Sequence, residues 1–282
     1  MKKIMAFILA AAMMIPLAAC SSPQESPQQA TEQQQNSQKA EGPKETVYQV
    51  ALLQSLTQGY YDGVIKVSEL KEHGDTGIGT FEGVNGEMIV LDGTVYQALG
   101  DGSVKVADDN ETVPFSNVTF FDNDISETLS QTKDINTLKE SLTNTVNKNG
   151  KNLFYMVKIK GTFDKMNVRS ELKQEKPYKT LDKALATDQR EFNYEKIAGT
   201  VVALYCPDYM GGLNTPGWHF HFISDDKTKG GHILELSFES AQAEFDSTQD
   251  FDMYLPENPD FQKIELAKDV SSAIKKVETN EE

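Results

Sequence analysis

Apolar and polar positions alternate through most of the chain, and that alternation predicts strands. Tyr48-Gln49-Val50 opens as a short strand and runs through Ala51-Leu52-Leu53 into a short helix ending near Gly59. Ser68 is placed to cap a brief turn through Glu69-Leu70-Lys71, stopped by Gly74. Ile78-Gly79-Thr80-Phe81 alternates again, Asn85-Gly86 reads as a two-residue hairpin turn, and Glu87 to Leu91 reads as the return strand. Asp92-Gly93 predicts a second tight turn into Thr94-Val95-Tyr96-Gln97, and Asp101-Gly102 leads to Val104-Lys105-Val106.

The period then changes. Leu138, Leu142 and Val146 recur every four residues with Gly150 beyond them, which predicts a helix. Phe154 to Lys160 reads as a strand, with Val168 to Leu172 as its neighbour. Leu181, Ala184, Leu185 and Gln189 fall at helical spacing. Thr200 to Tyr205 is a continuous apolar run suited to a central strand, followed by strands over Trp218–Ile223 and Ile233–Phe238. From Asn258 onward the chain is charged and poorly patterned. The expected class is α+β, predominantly β, with few helices.

The first 45 residues do not fit that pattern. Lys2 and Lys3 precede an uncharged run from Ile4 to Ile15, which reads as an export signal and is short for a membrane span of about 20 residues. Leu17-Ala18-Ala19-Cys20 resembles the cleavage box of bacterial lipoproteins, which implies removal of residues 1–19 and a lipid on Cys20. The expected location is then the outer side of the cytoplasmic membrane, with contact to the bilayer through that lipid alone. Residues 20–45 are rich in Gln, Ser, Pro and Glu and cannot bury enough apolar surface to fold. Such a tether spans about 28 Å.

Charge excludes one class of partner. The net charge is −16, and losing Lys2 and Lys3 leaves 25 Lys and Arg of 27 against 43 Asp and Glu, or −18. No basic cluster is present to neutralise phosphates, so nucleic-acid binding is not expected. Of the two cysteines, Cys206 reads as a small buried hydrophobe.

Three of the four histidines fall between positions 219 and 232. In Trp218-His219-Phe220-His221-Phe222, strand alternation puts both imidazoles on one face and the three aromatic rings on the other. Ser224 to Gly231 lets the chain turn back, so that His232 can face the first two. Three converging imidazoles suit Zn²⁺ with a position left open, the pattern of a catalytic ion. His73, in a Gly-rich turn, reads as a surface or turn residue.

The segment Pro216 to Asp226 with Gly230-Gly231-His232 resembles the metal motif of the bacterial acetolactate decarboxylases. Further segments match in the same order: His73-Gly74-Asp75, Gly77 to Phe81, Gly86 to Ile89, Pro114-Phe115, Phe154-Tyr155, Gly161-Thr162-Phe163, Arg169 and Pro177-Tyr178. Thr76 and Trp218 depart from the pattern without touching a proposed ligand. The resemblance implies two β-rich lobes with the metal between them, divided here as 46–165 and 166–282, and often a homodimer. It implies conversion of 2-acetolactate to acetoin and CO₂ without an organic cofactor, with zinc on His219, His221 and His232. It carries over Glu87 as a carboxylate near the metal, Arg169 as the active-site arginine, and Glu278 as a glutamate supplied by the C-terminal tail.

Taken without the resemblance, each of these has another reading. Glu87 could be solvated after a turn, Arg169 could pair with Glu171 or a cross-strand acid, and Glu278 could lie in a loose tail. Two other functions fit the histidines: a lipoprotein that captures zinc or a hydroxy acid without turnover, and a zinc hydrolase.

Overall fold

The computed structural model describes residues 44–267. Cys20 and Glu278, together with the signal and residues 20–43 of the tether, lie outside the described residues. In chain order the described elements begin with β1 (Thr46–Val50), α1 (Leu53–Thr57), β2 (Ile65–Lys66), α2 (Val67–Leu70), β3 (Thr76–Thr80), β4 (Glu87–Leu91) and β5 (Thr94–Ala98). Then come β6 (Val104–Val106), β7 (Thr112–Val113), β8 (Phe115–Thr119), β9 (Ile125–Thr132) and α3 (Ile135–Asn149). The last are β10 (Phe154–Glu171), α4 (Leu181–Asp188), β11 (Gln189–Cys206), β12 (Gly217–Ser224), β13 (Gly230–Thr248) and β14 (Asp250–Tyr254).

These strands build two principal sheets. The first has seven strands in the order β14-β1-β8-β3-β4-β5-β6, antiparallel except for the β1–β14 pair. In the second, β10, β11, β12 and β13 pair in a closed ring, with β9 added outside on β13. The ring closes through a short seam, His221↔His232, Phe222↔Gly231 and Ile223↔Gly230. Alternation fills both faces. Phe163, Phe222 and Phe238 meet edge to face on the inner side at 5.5 and 5.6 Å, with Trp218 and Phe220 in the same cluster. On the other face Met156, Val202, Leu204 and Ile223 pack against Val47, Ile78 and Ile89 of the seven-stranded sheet.

The helix over Leu138, Leu142 and Val146 forms as expected and buries all three. Asp134 caps it by accepting from the Thr137 N–H at 2.7 Å, and Gly150, at φ 136°, ends it. Asp92-Gly93 makes its tight turn with both residues at positive φ, 50° and 80°, between paired Leu91 and Thr94.

Four expectations are corrected. Asn85-Gly86 does not form a two-residue hairpin: Thr80 pairs with Glu87, so six residues, including a 3₁₀ turn at Glu82–Val84, join β3 to β4. Ser68 lies inside α2, whose first backbone groups are met by Glu69 accepting from the Lys66 N–H at 2.9 Å. The strands expected at 154–160 and 168–172 are not neighbours but parts of the single strand β10, continuous because β11 and β13 flank it along nearly its whole length. For the same reason the lobe boundary at 165/166 falls inside a strand; the chain passes between the sheets near Phe121–Asp124 instead, and β14 returns to the first sheet. Cys206 is buried at 1% exposure.

Candidate metal centre and active site

β12 positions the site. His219 and His221 lie opposite Leu204 and Val202 of β11, on the face turned toward the seven-stranded sheet, while Trp218, Phe220 and Phe222 enter the ring's core. The Trp218 N–H donates to Thr143 Oγ1 of α3 at 2.9 Å. His232 is brought opposite His221 by the seam of the ring. Gly231 beside it has φ 149°, and a Cβ there would stand 2.5 Å from the Arg169 carbonyl oxygen. Glycine is therefore needed where β13 passes β10.

The imidazoles converge. His219 Nε2 lies 3.1 Å from His221 Nε2 and 3.0 Å from His232 Nδ1, and the three ligand atoms all fall within 4.8 Å of one another. His221 Nδ1 donates to the Met88 carbonyl oxygen at 2.7 Å, which leaves its Nε2 without a proton. Burial is the first cause that pulls the His219 pKa down to about 3, with Arg169 adding to it. Burial likewise sets His221 well below the ordinary histidine range. Neutral ring nitrogens whose lone pairs point at one spot repel unless a proton or a cation lies between them, so this donor set fits a metal ion.

The second sheet completes the site. Glu87, the first residue of β4, is buried and brings Oε2 to 3.3 Å from His221 Nε2. Arg169, 3% exposed on β10, stands directly across from His232. Its Nη1 donates to Gln189 Oε1 at 3.1 Å. His219, His232, Arg169, Glu87 and Glu171 line one pocket with an empty volume of about 450 Å³ including its mouth, and Leu53, Leu56, Val84, Phe115, Leu181 and Leu185 form its apolar wall.

His219, His221, His232, Glu87 and Arg169, five of the six residues singled out in the sequence, are thus brought together; Glu278 lies outside the described residues. His73 stands apart, half-buried and stacked on Tyr48 at 3.7 Å. Gln189 is not the end of a helix but the first residue of β11. Its link to Arg169 and the Met88 carbonyl's hold on His221 were not anticipated, because both depend on long-range strand register, which leaves no local signal.

The profile of the alpha-acetolactate decarboxylase family matches residues 47–268. An alpha-acetolactate decarboxylase of Methanosarcina mazei is 41% identical over 234 residues, covering 83% of this chain and 80% of that one. One from Bacillus licheniformis is 35% identical, covering 84% and 92%. The crystal structure of the Bacillus subtilis strain 168 decarboxylase superposes with a TM-score of 0.79 at 31% identity, covering 83% of this chain and 99% of that one.

Proposed function

This chain belongs to the alpha-acetolactate decarboxylase family, a carboxy-lyase family, and from that premise we propose that it decarboxylates 2-acetolactate to acetoin and CO₂ at a zinc ion held by His219, His221 and His232. The observation that carries the metal reading is the Met88 carbonyl, which accepts a hydrogen bond from the His221 Nδ1–H and so leaves a bare Nε2 facing the other two rings.

Cleaving the carboxylate from a 2-hydroxy-3-keto acid leaves an electron pair that the neighbouring ketone accepts. Bound zinc supplies Lewis-acid stabilisation for the oxygen on which that charge develops. Arg169, permanently charged and forked, binds the carboxylate. Its guanidinium is anchored from the Gln189 side and opens on the pocket. The six apolar wall residues exclude water, which strengthens both interactions. Carbon must then be protonated. Glu87 and Glu278 are the two candidates for it; of these Glu87 lies among the described residues, lining the pocket 3.3 Å from His221 Nε2.

The test is incubation with racemic 2-acetolactate, scoring acetoin and CO₂ before and after chelation, beside metal analysis of the chain lacking residues 1–19. Turnover that survives complete metal removal sinks the metal role. A metal-retaining protein that releases no CO₂ is a capture protein. Ester or amide cleavage would identify a hydrolase.

The leader carries a separate proposal: export and lipid attachment at Cys20, supported by the Leu17-Ala18-Ala19-Cys20 box. Mass spectrometry of the mature N-terminus checks it, and an unmodified Cys20 removes it. Light scattering on the chain lacking residues 1–19 decides between a monomer and the homodimer that the resemblance implies.

A further inference from the structure

Glu171 lines the pocket but has no part in the reaction described above. It sits two residues beyond Arg169 on the same face of β10, with its side chain 6% exposed. Its Oε1 lies 3.9 Å from Arg169 Nη1. That is near enough for a strong charge interaction and too far for the hydrogen bonds of 2.7–2.9 Å by which a carboxylate normally occupies an arginine fork. Gln189, the register partner of Glu171, takes one Nη1 proton and donates through Nε2 to Glu191 at 3.1 Å. Arg169 Nε is buried with no hydrogen-bond partner. Glu171 therefore offsets the charge of Arg169 without consuming its donors.

Burying a carboxylate against a guanidinium without direct hydrogen bonds costs stability, so a purely structural origin for the pair is poor. Its value lies in the charge of the pocket. With a divalent ion on the three histidines, the ion and Arg169 would supply three positive charges, and the Glu171 carboxylate beside Arg169 lowers that sum by one. We propose that Glu171 is a specificity-determining residue: its fixed negative charge lets the pocket accept a singly charged 2-hydroxy acid and reject a doubly charged 2-hydroxy dicarboxylate of the same shape. This rests on the pocket being the substrate site.

The experiment is calorimetric titration of the metal-loaded full chain with two non-reacting analogues of 2-acetolactate. In 2-hydroxy-2-methylmalonate a second carboxylate replaces the acetyl group; in 2-hydroxy-2-methylbutanoate an ethyl group does. In Glu171→Gln the dianion is expected to tighten by about tenfold and the monoanion by about threefold, since the removed charge acts twice on the former. Glu171→Asp should restore the original discrimination. Gln189→Glu, which adds a charge beside the same guanidinium, should shift the discrimination the other way, so the idea stays testable if Glu171→Gln folds poorly. Equal changes for both ligands, or none, overturn the proposal. Acetoin release by the wild type is scored in parallel. Its absence sinks the parent reading, whereas intact turnover with unaltered discrimination sinks only the role of Glu171.

Discussion

His221 shows how much one side chain is asked to do. One ring nitrogen is committed to the Met88 carbonyl, and the other faces two imidazoles and the Glu87 carboxylate. His221→Ala is expected to lower metal affinity by at least about 100-fold and to abolish acetoin formation with it. Metal content and rate measured on one preparation check this, and a variant that keeps its metal contradicts it. Arg169→Ala should retain the ion and lose roughly 10²–10³ in kcat, as when one charge-stabilising donor is removed. Outside the pocket, Asp246 carries the clearest pH dependence. It is 1% exposed, its Oδ2 has no hydrogen-bond partner, and burial, with Asp124, Glu45 and Asp122 adding repulsion, raises its pKa to about 8. The folded chain thus holds a proton that the unfolded chain releases near pH 4, so this group's contribution to stability falls as pH rises from about 4 to 8. Asp246→Asn should flatten that decline, read from denaturant midpoints at pH 5 and pH 8; an undiminished decline would assign it to other groups. The histidine spacing was legible because the period of a strand is two. The Glu171–Arg169 pairing was named in the sequence only as one of several, because which acid reaches a guanidinium depends on rotamers and register.

Among the elements, those with strong local chemistry were the legible ones. The helix α3 announced itself by three buried apolar residues at spacing four, and its cap is a single carboxylate. Asp134→Ala should cost about 1 kcal/mol, measured by chemical denaturation, with little effect on turnover. The 18-residue strands β10 and β11 were legible only in pieces, because charged residues such as Lys165 and Glu195 interrupt the apolar run. The interruption is tolerated because neighbouring strands pair on both edges of β10 regardless of its side chains. Strand β14 was missed altogether: Asp250-Phe251-Asp252-Met253-Tyr254 is short and acidic, and it forms by parallel pairing with β1, some 200 positions earlier in sequence. Gly79 in β3 lines the pocket, and a Cβ there would meet the Phe115 carbonyl oxygen at 2.5 Å. Gly79→Ala should therefore separate β3 from β8, lowering thermal stability and raising KM together; an unchanged melting temperature would show that β8 yields without cost.

At the scale of the whole molecule, neither sheet contains the site. The ring contributes His219, His221, His232 and Arg169; the seven-stranded sheet contributes Glu87 and the Met88 carbonyl. A metal that binds only the docked arrangement should stabilise it by mass action, about 4 kcal/mol at a thousandfold excess over Kd. Thermal scans with and without added zinc read this directly. The division of labour has a further effect on which mutations the site can survive. The Nδ1–H of His221 donates to a main-chain oxygen, and no substitution at position 88 deletes an oxygen of that kind. The tautomer is thereby set by where β4 stands and not by the chemistry of side chain 88, which matters to the site only through its packing in the core, while a one-residue slip of the strand would be fatal.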